Sequence, residues 1–347
     1  MERPASADEI AAGSPPSETG PALPQPTPTT STIVERIGLH TLRRALGVWI
    51  GLVGLVIVVA ILEPSLIEPD GLRLLLRQVS IIGLLAVGQT IVMLTAGIDL
   101  SVGSVVAVVN WVAASLLVGQ NSNNIKVIPL CLGIGLFVGL VNGVGIAKFR
   151  VPPFVMTLGM LFVVLAAGQW YTNGVTTGAA SEGVIELGQG YLGPIPNSFI
   201  LFIGVAALAY GLLKLTPYGR RVYAIGANPR AAHLAGVNTD RVLIASYALC
   251  GLTAALGGLV LTGFIGFGAT TSGQGLELEA IAAVVIGGTA LAGGRGSLVG
   301  TVGGVLFLGL LFNLLVVTDI AQFGRLIVQG VAIILAAAIY SRGWKGG

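Results

Sequence analysis

Long apolar runs, broken by short polar stretches, dominate the chain from residue 45 onward. About 20 consecutive apolar residues cross a bilayer as a helix. On that measure the first half predicts spans at 45–62, 79–96, 102–119, 127–147 and 154–171, and the second half at 199–215, 243–265, 280–291, 298–317 and 326–340. Lipid cannot hydrogen-bond an open backbone, so each run is expected to be helical. The expected fold is an all-α polytopic membrane protein with about ten transmembrane helices. The first run follows Arg36, Arg43 and Arg44 as a secretion signal would, but it starts late and is long for one, which favours an uncleaved span.

Residues 1–32 break this pattern. Their Pro, Ser, Thr and Ala, with scattered acids, offer too little large apolar surface to offset the entropy of ordering. Residues 1–44 are therefore expected to form a disordered cytoplasmic tail and juxtamembrane segment, and residues 45–341 the transmembrane domain.

Charge orients the spans. With the amino terminus and tail in the cytoplasm, Arg73, Arg77, Lys126 and Arg325 are the only cations among 18 Lys plus Arg that fall outside. Cytoplasmic loops are expected to carry that excess. An even number of spans with both termini cytoplasmic preserves the bias, whereas an odd number spoils it in every later loop. The longest outer loop, 172–198, contains Glu182 and Glu186 but neither Lys nor Arg. Composition agrees with a lipid solvent: 54% hydrophobic residues, 10% charged and a mean hydropathy of +0.91.

Several chemistries are excluded by residue type. Cys131 and Cys250 lie in separate apolar runs, so buried inert thiols are expected rather than a disulfide. His40 and His233 both lie outside the spans, leaving no metal site and no base for an intramembrane protease. Lys126, Lys148, Lys214 and Lys345 follow Ile, Ala, Leu and Trp, so no Gly-Lys-Ser or Gly-Lys-Thr phosphate loop is present. The chain is not expected to be an enzyme.

Glycines recur at a spacing of four as Gly135, Gly139 and Gly143 in the fourth run and as Gly296, Gly300 and Gly304 in the ninth. Such stripes let helix backbones approach where lipid supplies no hydrophobic drive. A second echo joins the halves: Gly97-Ile98-Asp99-Leu100-Ser101 opens the third run and Gly275-Leu276-Glu277-Leu278-Glu279 the eighth. Matches of third with eighth and fourth with ninth give a period of five helices, and an odd period inverts one half in the membrane. A five-plus-five inverted repeat commonly builds transporters around broken helices.

The acids at these junctions have two readings. Asp99 and Ser101 stand at a helix start, where their oxygens can cap free N–H groups; intramembrane carboxylates also mark substrate paths. Glu277 and Glu279 lie beside Thr270, Thr271, Ser272 and Gln274, groups suited to a hydroxylated ligand. Asp99, Ser101, Gln274, Glu277 and Glu279 are the translocation or helix-break candidates. Trp111, Trp170, Tyr171, Phe264 and Phe267 stand at span ends and read as interfacial anchors before sugar-stacking groups.

The cytoplasmic segment 216–241 is different in character, with Arg220, Arg221, Arg230 and Arg241 against Asp240. Asn228 as N-cap, Pro229 at the first helical position and Gly236 just past the end predict about two turns of helix. Ala231, Ala232 and Ala235 would form a small apolar face, rimmed by Arg230 and His233, that fits a groove on a partner.

Three ordered stretches, Gly97-Ile98-Asp99-Leu100-Ser101-Val102-Gly103-Ser104, Gly226-Ala227-Asn228-Pro229-Arg230-Ala231-Ala232 and Glu277 to Thr289, together with Leu291 to Ser297, resemble bacterial ribose-type monosaccharide ABC transporter permeases. Glu279 departs from the aspartate more usual there. The resemblance spans roughly residues 75–340 and implies a membrane permease domain. It also implies a second permease copy or paralogue, a cytoplasmic ABC ATPase that holds ATP and Mg, and an extracytoplasmic sugar-binding protein. No cofactor is implied for this chain. Gly226, Asn228, Pro229, Arg230, Ala231, Ala232, His233 and Gly236 would then couple it to the ATPase. The alternative is an ion-gradient-driven secondary transporter of small polar solutes, against which Asp99, Glu277 and Glu279 stand at segment edges rather than deep in spans.

Overall fold

The apolar sequence becomes helix almost throughout. The computed structural model describes residues 30–175, 178–269, 271–318, 320, 323, 324, 327, 328, 330, 331 and 334, with side chains from residue 46 onward. Residues 1–29, Thr270, Arg325 and most of the tenth expected span lie outside the described residues. The helices in chain order are α1 (Thr30–Leu62), α2 (Pro69–Leu94), α3 (Val102–Leu117), α4 (Asn124–Ala147), α5 (Pro153–Thr172), α6 (Glu182–Gln189), α7 (Asn197–Leu215), α8 (Pro217–Ala227), α9 (Pro229–Leu234), α10 (Thr239–Ile265), α11 (Leu276–Ile286) and α12 (Leu298–Val317). Six of them, α2, α4, α5, α7, α10 and α12, are long and apolar enough to cross a membrane. The shorter apolar helices are α3 and the Leu46–Leu62 part of α1. The chain is an all-α polytopic membrane protein.

Element boundaries depart from the apolar runs where capping residues, rather than hydropathy, decide them. No proline stands between Thr30 and Leu62, so residues 30–44 continue α1 as helix instead of joining a disordered tail. α2 starts well before its apolar run because Pro69 occupies the first turn and Asp70 complements the helix dipole. The two arginines thereby drawn into α2 are engaged. Arg73 pairs with Asp70 at 2.9 Å, while Arg77 lies 4.3 Å from the Tyr191 ring centre and donates to the Gln189 carbonyl. The described part of the stretch 172–198 contains α6 and a small antiparallel hairpin, β1 (Tyr191–Leu192) and β2 (Ile195–Pro196).

α10 is the axis of the bundle, packing on α4, α2, α3 and α6. Its contact with α4 is backbone to backbone. A β-carbon added at Gly135 or Gly139 would meet the carbonyl oxygens of Gly251 and Tyr247, and one at Gly143 would stand 2.6 Å from the Ile244 Cα. Close approach of this kind supplies the dispersion contact that holds helices together in lipid. On α12, Gly300 and Gly304 face the carbonyls of Gly287 and Ala283 at the end of α11. Gly296, expected in the same helical stripe, precedes the helix: Ser297 is the N-cap, its Oγ accepting the Gly300 N–H at 3.1 Å. Gly296 instead abuts the Thr289 side chain. The central α2 has 78% of its apolar window buried, against 17% for α5, so α5 lies on the outside of the bundle.

Candidate functional site

The segment 216–241 folds into two short helices joined by one residue. Thr216 caps α8 through its hydroxyl, and Asn228 serves both helices. The Asn228 N–H donates to the Ala224 carbonyl at 3.0 Å, closing α8, while its Oδ1 accepts the Ala231 N–H at 3.0 Å, opening α9. Gly236 follows at φ 82°, a left-handed conformation that suits glycine, and Val237 N–H returns to the Ala232 carbonyl at 3.0 Å. The elbow is thus fixed by local bonds.

Its faces differ from the alanine surface expected of it. Ala232 is buried, so the outward side of α9 is made by Arg230, Ala231, His233, Ala235 and, above all, Leu234, which is 86% exposed. A pattern of small residues hid Leu234, because alternation over two turns does not reveal which side meets the body. Gly226 is also buried and faces the membrane body. A β-carbon there would meet the Leu94 carbonyl at the end of α2, as well as the Gly294 backbone in the connection after α11. The Gly294 N–H donates to that same Leu94 carbonyl at 2.9 Å. α8 is tied down further by Tyr218, whose hydroxyl meets Ser246 Oγ at 2.8 Å, and by Tyr223, which donates to the Gly296 carbonyl at 3.0 Å. Burial pushes both phenols up to about 12. Neighbouring Asp240 receives Lys148 at 3.2 Å and Arg150 at 3.9 Å.

At the other end of α11, residues 266–269 and 271–275 are not helical and run along α3. Asn110, fully buried, holds it. Its Nδ2 donates to Thr262 Oγ1 at 3.1 Å and to the Phe267 carbonyl at 3.0 Å, and its Oδ1 accepts from Ala269 N–H and Ser272 Oγ at 2.9 Å each. Trp111 Nε1 donates to the Ala269 carbonyl at 2.6 Å. Irregular backbone at membrane depth needs such partners. Trp111 is therefore buried and structural rather than an interfacial anchor, whereas Trp170 is 84% exposed. Asn110 was invisible as a candidate because its partners lie more than a hundred residues away in sequence; a lone amide in an apolar run was the available signal.

Glu277 enters the first turn of α11, packed against Gly103 at the start of α3. Glu277 and Glu279 are half-buried, and Gln274 is exposed. α11 stops at Ile286, with Gly287 as its C-cap, so the Gly287-Gly288 pair ends the helix instead of interrupting it. Asp99 and Ser101 do not join these residues directly. Asp99 Oδ1 accepts the Ser101 N–H at 2.9 Å and the Ser101 hydroxyl at 2.6 Å, and Asn142 Nδ2 donates to that hydroxyl at 2.8 Å. Ser101, the N-cap residue of α3, makes no side-chain cap; Asp99 binds the N–H and hydroxyl of Ser101 itself rather than a first-turn N–H. With its amide oriented to suit, Gln89 brackets the Asp99 backbone, accepting its N–H at 3.2 Å and donating to its carbonyl at 3.1 Å. Asp99 is wholly buried.

Residues 71–337 match the family described as the permease component of branched-chain amino acid transport systems. The ribose import permease protein RbsC of Bacillus subtilis (strain 168) is 40% identical over 307 residues, covering 88% of this chain and 95% of the relative. The fructose import permease protein FrcC of Rhizobium meliloti is 40% identical over 284 residues, covering 77% of each chain. The xylose transport system permease protein XylH of Escherichia coli (strain K12) is 33% identical over 324 residues, covering 76% of this chain and 82% of the relative. No solved structure matches the chain. Family match and relatives together set aside the ion-gradient alternative: the chain belongs to this permease family and, within it, to the ribose-type sugar permeases of ABC transporters.

Proposed function

We propose that the chain is the pore subunit of an ATP-driven importer in the bacterial inner membrane, translocating a monosaccharide delivered by an extracytoplasmic binding protein. A second permease copy or paralogue completes the pore, and an ABC ATPase on the cytoplasmic side holds ATP and Mg. Residues 45–341 form the permease domain, within which 216–241 docks the ATPase. About ten helices, with both termini cytoplasmic, form a five-plus-five inverted repeat. The contact of Glu277 with Gly103, where α11 and α3 begin, supports that arrangement, since inverted repeats bring broken helices together near the midplane.

Transport proceeds by alternating access, with no covalent bond made or broken in this subunit. Closure of the ATPase around ATP bears on α9. The Asn228 elbow passes the load to α8, and the buried Gly226 joint passes it to the end of α2 and to the connection after α11. α11, 11 residues or roughly 16 Å long, then carries it to Gln274, Glu277 and Glu279. Asp99 and Ser101 anchor the start of α3 on the opposite side of the same junction. The Gly226 joint carries the reading, because it links the proposed docking elbow to the broken helix by backbone contact alone.

Asn228→Ala and Gly236→Leu test it. Both should leave the chain in the membrane yet uncouple sugar uptake from ATP hydrolysis or prevent recovery of the ATPase with the tagged permease. Normal sugar-stimulated hydrolysis and uptake in both variants would sink the docking assignment.

A further inference from the structure

Between α9 and the membrane body lies a cavity of about 520 Å³. Arg150, Arg230, His233 and Tyr247 are among the residues that line it. Its remaining wall is largely apolar, formed among others by Ile146, Ile225 and Leu243. A smaller hollow of about 300 Å³ shares Arg150, His233 and Thr239 with it and opens beside Asp240. That carboxylate is already taken up by Lys148 and Arg150, so cationic character prevails. Arg150 holds a left-handed backbone, φ 59°, just past the end of α4, as Ala96, Val118 and Asn173 do past the ends of α2, α3 and α5. The Tyr247 hydroxyl is fully buried against Gly97 and has no hydrogen-bonding partner.

A ring of guanidinium and imidazole groups over an apolar cleft is suited to a phosphate ester. Guanidinium binds phosphate in a bidentate fork, and basic pockets between membrane helices on the cytoplasmic side take phospholipid head groups. We propose that this cavity is a binding site for a phosphate-bearing ligand, either an anionic phospholipid or a soluble sugar phosphate, held by Arg150, Arg230 and His233. The inference rests on the cytoplasmic position proposed for residues 216–241. α9 buries only Ala232 against the body, so a ligand wedged behind it sets the angle at which α9 meets the ATPase. A phosphorylated product of the imported sugar, or the local lipid, thereby tunes coupling from the membrane side.

The test uses the full chain alone, purified into nanodiscs, so that its outcome is independent of any ATPase. Native mass spectrometry compares retention of phosphatidylglycerol with that of phosphatidylcholine, with and without ribose 5-phosphate. Wild type should retain the anionic lipid preferentially, and Arg150→Gln should weaken retention about five-fold, the effect of one basic side chain near an anionic surface. Arg150→Lys should restore most of it. Displacement of the lipid by ribose 5-phosphate identifies a soluble ester as ligand; persistence of the lipid identifies the bilayer as its source. His233→Gln, on an exposed position, serves as a second variant if Arg150→Gln is not monodisperse. Equal retention of both lipids by wild type with no ribose 5-phosphate bound, or unchanged retention in both variants, overturns the proposal. Normal ATPase capture and coupled uptake in the elbow variants would refute the docking assignment while leaving this measurement unaffected.

Discussion

Gly226 lies against the carbonyl of Leu94 so closely that no β-carbon fits between them. The contact joins the last turn of α8 to the last turn of α2, and the Gly294 N–H shares the same carbonyl. Gly226→Val should separate these elements. Overpacking at such a contact costs about 1–3 kcal/mol, so thermal unfolding should move down and sugar-stimulated ATP hydrolysis should fall with it. Wild-type coupling in a Gly226→Val transporter would remove the joint from the mechanism.

Leu234 is almost wholly exposed on α9. An exposed leucine contributes little to the stability of the chain itself, yet a leucine seated in a partner's groove is worth about 1–2 kcal/mol, or roughly ten-fold in affinity. Leu234→Ala should therefore weaken capture of the ATPase about ten-fold and leave the melting temperature of the isolated permease unchanged. Titration of the two purified proteins reads both.

Asn110 satisfies four polar groups of α10 and the segment that follows it. Asn110→Leu orphans the Phe267 carbonyl, the Ala269 N–H and the Ser272 hydroxyl, while Thr262 keeps its bond to the Gly258 carbonyl, at about 1–3 kcal/mol for each group that water cannot reach. The segment from Gly266 to Gly275 should then detach from α3. A cysteine introduced at Ser272, buried in the native fold, should become reactive to an impermeant thiol reagent in the Asn110→Leu background and stay protected without it.

Gly139 and Gly133 provide a matched pair on α4. A β-carbon at Gly139 runs into the Tyr247 carbonyl, whereas one at Gly133 meets nothing within 4 Å. Gly139→Leu should lower the yield of folded protein and abolish uptake; Gly133→Leu should resemble wild type. Similar behaviour of the two would argue against backbone contact as the source of the α4–α10 association.

The α9 helix was legible in the sequence because its signals are local: a side-chain cap, a proline and a glycine act on their immediate neighbours. Apolar runs likewise located α4, α7, α10 and α12, since lipid imposes the same demand on any run of that length. Hydropathy misjudged the start of α2, where Arg73 and Arg77 interrupt the apolar pattern but Pro69 and Asp70 begin the helix. It also misplaced α11, whose bounds depend on Gly275 and Gly287 rather than on apolar content. The partners of Asn110, the inward turn of Ala232 and the burial of Asp99 are matters of tertiary contact. No window along the chain contains both members of those pairs.

The bonds made by Asn110 also impose an order on biosynthesis. Asn110 leaves the ribosome 157 residues ahead of Phe267 and 159 ahead of Ala269. α3 must therefore wait in the bilayer with its amide committed to a temporary partner, water or another helix, until α10 has been threaded. Docking of the segment after α10 onto α3 is a late event in assembly, because Thr262, Phe267 and Ala269 are all made after α3.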